Sequence, residues 1–187
     1  MYRGIATGFA VWLVIAVGPA GPYLEASLVK HVLIEIPLLI ITGIPAGNLL
    51  KMRLAKVLGM ISIPAVLLAC FTLAFWMIPR WLDASLGDGI TAYMKYLSLP
   101  LLVGIPLALS WQILHPIARG VVKIEFLAML FRLGWIYLVS PDRLCNNYLL
   151  GEQQQLGQLL IILGFALGIT WLAKVFFTSA DTLQNAG

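Results

Sequence analysis

The segment Lys30–Pro45, KHVLIEIPLLIITGIP, is an apolar stretch that carries two ionisable side chains. Extended back to residue 26, it is long enough to cross a bilayer as a helix, which takes about 20 apolar residues. His31 and Glu35 stand four positions apart, so they share one face of that helix. A histidine and a carboxylate are costly inside a membrane unless they have partners or a function. The segment therefore predicts a membrane helix whose polar partners lie elsewhere in the chain.

The composition predicts a membrane protein. Of the 187 residues, 61% are hydrophobic and 11% are charged, whereas a soluble domain is roughly 45–50% apolar and about a quarter charged. Long apolar runs predict helices at about 4–20, 26–45, 54–78, 91–112, 118–140 and 154–177. We expect an all-α, polytopic bundle of about six transmembrane helices that forms a single domain over residues 1–187. The first run resembles a signal peptide but is interpreted as the first transmembrane helix.

Basic residues predict the orientation of this bundle. The basic residues at the inner side are Arg3, Lys51, Arg53, Lys56, Arg119, Lys123 and Lys174, and those at the outer side are Lys30, Arg80, Lys95 and Arg143. Because Lys and Arg concentrate on the cytoplasmic side, both termini are expected in the cytoplasm. The net charge of +4 then reflects orientation. A nucleic-acid face would need a basic stripe with interleaved aromatic residues, which this sequence lacks, so we expect no nucleic-acid partner.

Glu35 and Arg132 form the first candidate constellation. Each lies about two turns from the outer end of its predicted helix, so the two are expected to meet at the same depth. An arginine inside a membrane needs a partner, and a carboxylate can bind it in a bidentate way. We expect an intramembrane ion pair that fixes the packing of two helices. The alternative is that Arg132 binds an anionic ligand or a haem propionate.

His31 is the candidate metal ligand, because imidazole binds copper and haem iron well. Three soft donors are predicted at a similar level: Met77, Met94 and Cys145. A histidine with methionine or cysteine suits Cu(I). A hydrogen bond from His31 to another helix is the competing interpretation, and membrane packing is the competing one for each methionine. Cys70 lies in an apolar run and Cys145 in a polar break, so a disulfide between them is not expected.

Four motifs in residues 26–165 share their order and spacing with one family. In this chain they are His31 with Pro37-Leu38-Leu39 and Gly43-Ile44-Pro45; Trp76, Pro79 and Asp83; Tyr96-Leu97-Ser98 with Gly104 and Trp111; and Gln153-Gln154-Gln155-Leu156-Gly157-Gln158. On these motifs the chain resembles the CtaG-type cytochrome c oxidase assembly factors of bacteria and the related short archaeal membrane proteins. Where that family has a second intramembrane histidine and an aspartate, this chain has Tyr96 and Gln153.

The resemblance implies a protein that is not an enzyme and that assists maturation of the copper centre of a haem-copper respiratory oxidase from the extracytoplasmic side. It implies copper as the cofactor, the lipid bilayer and oxidase components as partners, and a bacterial or archaeal cytoplasmic membrane as the location. Two alternatives stay open. The first alternative is a non-catalytic structural or accessory subunit of a larger respiratory membrane complex. The second is a small transporter, because four prolines are predicted to interrupt helices as in transporter sites: Pro37, Pro64, Pro100 and Pro106.

Overall fold

The computed structural model describes residues 2–54 and 58–184, and these residues form eight helices with no strand among them. In chain order the helices are α1 (Tyr2–Ala16), α2 (Ala20–Glu25), α3 (28–53), α4 (Leu58–Trp76), α5 (Pro79–Gly87), α6 (Gly89–Ser110), α7 (Pro116–Val139) and α8 (Leu150–Gln184). Two of them contain a π-helical segment, His31–Glu35 in α3 and Leu99–Gly104 in α6. The predicted all-α class is confirmed for the described residues.

Four helices are long and apolar enough to cross a membrane, over Leu28–Lys51, Gly59–Trp76, Gly89–Ser110 and Leu150–Phe176. The other two predicted spans correspond to α1, whose apolar part is the shorter Gly4–Ala16, and to α7, which carries charges along its length. The structure is therefore compatible with an integral membrane protein. Lys56 and the side chain of Arg3, both counted for the orientation, lie outside the described residues.

The sequence predicted that the second helix ends near Pro45, and this is wrong, because α3 runs through Pro45 to Arg53. Proline is tolerated inside a membrane helix where neighbours pack against the freed backbone. The neighbour here is α6. A Cβ on Gly43 would come within 2.2 Å of the carbonyl oxygen of Pro100, and one on Gly47 within 2.7 Å of another α6 carbonyl oxygen. Two glycines four residues apart let the two backbones approach closely.

The prolines predicted to interrupt the helices leave α3 and α6 continuous but widen one turn in each. Immediately before Pro37, Ile36 donates its backbone N–H to the carbonyl of His31, five residues back. Ile105 donates in the same way to Pro100. Such π-turns are frequent at functional sites. Both widened turns adjoin the side-chain cluster described below.

The last two helices, α7 and α8, pack along each other as an antiparallel hairpin. Gly134 and Gly157 face each other there, and a Cβ on either would lie within 2.9 Å of the other's carbonyl oxygen. The hairpin meets the rest of the bundle at Leu28–Lys30 and through the connection 140–149, here called the outer loop. The helices α2 and α5 fill stretches that the sequence analysis treated as breaks.

Candidate functional site

Lys95 of α6 is the centre of a buried polar cluster. Its ammonium Nζ lies 2.7 Å from Glu25 Oε1, 2.7 Å from Glu35 Oε1 and 3.2 Å from His31 Nε2. The side chains of Lys95, Glu35 and His31 are completely enclosed, and that of Glu25 is 21% exposed. An ammonium has three N–H donors, and three acceptor atoms surround this one.

Two tyrosines complete the cluster, and one of them, Tyr148, determines which nitrogen of the imidazole carries the proton. Tyr148 donates its hydroxyl to the backbone carbonyl of Glu25 at 2.7 Å, so it accepts from His31 Nδ1 at 2.9 Å. The proton of the imidazole therefore sits on Nδ1, and the Nε2 lone pair faces the Lys95 ammonium. Tyr96 donates to Glu25 Oε1 at 2.8 Å. His31 thus hydrogen-bonds to another helix at Lys95, which was the competing interpretation of this residue, and to the outer loop at Tyr148.

Glu35 is less well satisfied than its neighbours. Its contact with Lys95 has the distance of an ion pair without the alignment of a hydrogen bond, so neither carboxylate oxygen has a hydrogen-bond partner among the described residues. Oε2 lies 3.9 Å from His31 Nε2. Within the cluster, one ammonium faces two carboxyl groups. A buried carboxylate is costly when it is incompletely paired. The Lys95 ammonium is therefore what compensates the charge of Glu35.

Helix α1 supports the cluster through the backbone of α6. Pro100 has no N–H to give to the carbonyl of Tyr96, four residues earlier. Trp12 of α1 donates its indole N–H to that carbonyl at 2.8 Å. The carbonyl freed by the proline thereby gains a partner, and α1 is fixed beside the residue that contacts Glu25.

The predicted ion pair between Glu35 and Arg132 is wrong. Glu35 pairs with Lys95, whereas Arg132 contacts Glu125 on its own helix at 3.0 Å, and both of those side chains are more than half exposed. Lys95 was missed because it was counted as a charge at the outer surface. The sequence did contain a sign of its burial, because Lys95 is flanked by apolar residues. The buried carboxylate of Glu35 also requires a nearby cation. Nothing in the sequence pointed to Glu25, which precedes the predicted span of His31.

The predicted copper ligands are not gathered around His31. Its hydrogen-bonding and ion-pair contacts are Tyr148, Lys95 and Glu35. Met94 is 57% exposed, Met77 packs against the apolar core, and the Cys145 thiol donates to the carbonyl of Pro79 at 3.7 Å. The soft donors that Cu(I) prefers are therefore not arranged as one set with the imidazole.

A different donor set is present, formed by Glu25, His31 and Glu35, whose ligand atoms lie within 4.8 Å of one another. Two carboxylates and an imidazole are hard or intermediate donors and do not suit Cu(I). The Lys95 ammonium also contacts all three residues and occupies the position between them. The residues present thus do not fit Cu(I), and the Lys95 ammonium supplies the positive charge among them.

The outer loop connects the resemblance motifs to the cluster. In addition to the hydrogen bonds of Tyr148, this loop contacts three motif residues. The Cys145 thiol donates to the Pro79 carbonyl, and Asn147 donates its backbone N–H to Asp83 at 3.1 Å. Leu144 donates its backbone N–H to Gln153 Oε1 at 2.8 Å. Another motif contact lies beside the cluster, where Trp76 Nε1 donates to Ser98 Oγ at 2.7 Å. The Gln154 side chain is exposed, and Gly157 packs against α7.

Burial also determines the acid–base state of the outer loop. It raises the pKa of the Cys145 thiol to about 11, and the nearby Asp83 carboxylate adds to the effect. It raises the pKa of the Tyr148 hydroxyl as well, with further contributions from Glu25 and Glu35. At neutral pH both groups remain protonated, so they act as hydrogen-bond donors. The thiol is therefore poorly suited to react as a nucleophile or to ligate a metal as thiolate.

Comparison of the chain with protein-family models, with curated proteins and with solved structures returns no significant match.

Proposed function

We propose that the chain is a non-enzymatic membrane protein that assists assembly of a haem-copper respiratory oxidase at the extracytoplasmic side, and that it does so without ligating copper through His31. The proposal includes six transmembrane helices with both termini in the cytoplasm of a bacterial or archaeal cell. In this orientation the Lys95 cluster and the outer loop lie at the extracytoplasmic end of the bundle.

One observation carries the proposal. The motif residues His31, Pro79, Asp83 and Gln153 are far apart in the sequence, yet the outer loop connects them at one end of the bundle. His31 is linked through Tyr148 to the outer loop, and that loop holds Asp83 and Gln153. A network of this kind presents a defined surface, whereas scattered similarities would place the motif residues independently of one another.

The test is deletion of the gene in the organism that encodes the chain, with complementation by variants. We expect deletion to lower the amount of assembled haem-copper oxidase, measured from the reduced-minus-oxidised haem spectrum of the membranes. Asp83→Ala and Asn147→Ala should complement poorly, because each removes a contact that holds the outer loop. Immunoblotting of the chain itself corrects for any change in its abundance.

Gln112→Ala provides the matched control. It removes a side-chain hydrogen bond between Gln112 and Lys51 at the opposite end of the bundle, so it should complement as well as the wild type. Unchanged oxidase in the deletion strain would refute the assembly function. Equal complementation by all three variants would show that the outer loop has no part in it.

A structural or accessory subunit of a larger membrane complex is the second candidate. The observation that favours it is the complete enclosure of His31, Glu35 and Lys95, which is typical of groups that fix helix packing. Purification in a mild detergent separates the candidates. A stable, stoichiometric complex with respiratory subunits would support the accessory subunit, whereas a chain recovered alone from cells with active oxidase would support a transient assembly factor.

A further inference from the structure

A crevice of about 700 Å³ separates the α7–α8 hairpin from the remaining bundle, away from the Lys95 cluster. One wall consists of residues of α3, α4 and α6, and the other of α7 with Trp171 of α8. The lining is largely aliphatic and aromatic. A volume of this size is typical of pockets that bind small ligands, roughly 300–1,000 Å³.

The length of the crevice matches one half of a bilayer. Its α7 wall extends from Val122 to Arg132, a rise of about 15 Å at 1.5 Å per residue. The hydrocarbon core of a membrane is about 30 Å thick, so the crevice spans about one leaflet. Its inner mouth is marked by Trp111 and Trp171, and tryptophan is enriched at the membrane–water interface.

The same mouth is positively charged. Lys123 lines the crevice, with Nζ 5.4 Å from the centroid of the Trp171 ring. Arg119 lies one turn earlier on the same face of α7, and its Nε is buried with no hydrogen-bond partner among the described residues. The acidic residue in the lining, Glu125, is 3.0 Å from Arg132, which compensates its charge.

We propose that this crevice binds an anionic phospholipid, with an acyl chain between α7 and the remaining bundle and the phosphate at Arg119 and Lys123. The apolar lining and the length of one leaflet fit an acyl chain. Among the described residues no carboxylate pairs with either basic side chain, so the two select a negative headgroup, as basic pockets between membrane helices do. A neutral partner helix would leave both charges and the buried Arg119 Nε without a partner.

The experiment uses the full chain, purified in a mild detergent and stripped of lipid. Phosphatidylglycerol and phosphatidylcholine are titrated separately, and the apparent dissociation constant is taken from the rise in the thermal unfolding midpoint. We expect a saturable rise with phosphatidylglycerol and a much weaker response to phosphatidylcholine. Each basic side chain should contribute about fivefold, so Arg119→Gln combined with Lys123→Gln should weaken binding roughly 25-fold.

Two further variants locate the site. Arg80→Gln removes an exposed basic residue at the opposite end and should leave the lipid affinity within about twofold of the wild type. Ala74→Phe fills part of the crevice without changing charge and should lower the bound lipid phosphorus per chain. Equal responses to the two lipids, an unaltered affinity of the double variant, or full lipid content in Ala74→Phe would each overturn the proposal. Circular dichroism confirms that each variant is folded.

Discussion

Replacing Lys95 by methionine tests whether the ammonium holds the polar cluster together. Methionine preserves most of the length of the side chain and removes its charge. Lys95 Nζ contacts Glu25 and Glu35 at 2.7 Å each and His31 at 3.2 Å, and its side chain is completely enclosed. The substitution therefore leaves two carboxyl groups and an imidazole lone pair without the cation that they share.

The expected loss is large because the site is buried. Removing one partner of a buried ion pair costs about 3–5 kcal/mol, since the remaining charge is uncompensated. For a chain of this length, 1 kcal/mol corresponds to about 2–4 °C in the unfolding midpoint, so Lys95→Met should lower the midpoint by about 6–20 °C. Neither carboxylate oxygen of Glu35 has a hydrogen-bond partner among the described residues, so little else stabilises its charge once the ammonium is removed.

Thermal unfolding of the detergent-purified chain, followed by circular dichroism, measures this loss. Adding Glu35→Gln to Lys95→Met removes one of the stranded carboxyl groups and should recover part of it. Lys30→Met is the matched control, because Lys30 lies near the same end and its ammonium rests over the Tyr23 ring at 3.9 Å. That interaction is worth about 0.5–1 kcal/mol at an exposed site. An equal effect of Lys95→Met and Lys30→Met would refute the central role of Lys95.

Two further predictions concern packing and the outer loop. Gly43→Ala places a methyl group 2.2 Å from the Pro100 carbonyl oxygen and should lower the unfolding midpoint by about 2–12 °C, since overpacking costs about 1–3 kcal/mol. Cys145, with its pKa raised to about 11, should react with a water-soluble maleimide on the order of a hundredfold more slowly at pH 8 than an ordinary cysteine. Its rate should rise with pH up to about 11, because only the thiolate reacts.

Each of these predictions has a control within the chain. Gly120→Ala adds a methyl group where no atom lies within 4 Å, so its midpoint should stay equal or rise slightly; a loss as large as that of Gly43→Ala would contradict the packing argument. For Cys145, a Cys70→Ser background leaves one thiol. Equal labelling rates in the folded and the detergent-denatured chain would show that burial does not protect the thiol.

The location of the site was predictable from the sequence, but its partners were not. His31 and Glu35 were recognisable because ionisable residues in an apolar span need compensation. Lys95 was assigned to the surface because the predicted helix began at residue 91, whereas α6 begins at Gly89. The extra residues place Lys95 deeper along the helix, and Glu25 from α2 lies against it. The boundary error and the unrecognised helix α2 together hid the cation.

The all-α class was readable from the long apolar runs, whereas the continuity of α3 was not. Pro45 and Gly47 are typical of a helix end, yet here the glycine permits contact with α6 and the helix continues. The proline and glycine predict a helix end locally, but packing against a segment about sixty residues away in the chain stabilises the continuous helix. Tertiary packing of this kind leaves no trace in a single segment.

The position of Tyr96 connects the chemistry of the cluster with the proposed function. At the position where the resemblance has a histidine, Tyr96 donates a hydrogen bond from its hydroxyl to Glu25. The adjacent Lys95 supplies the positive charge between Glu25, Glu35 and His31. The ammonium thus supplies the positive charge among these groups, while neither carboxylate oxygen of Glu35 has a hydrogen-bond partner among the described residues. In the proposed function, the surface that a partner recognises is the outer loop, which Tyr148 anchors to the cluster. Contacts at that surface should therefore be separable from copper binding, and an assembly function should persist where copper binding is absent.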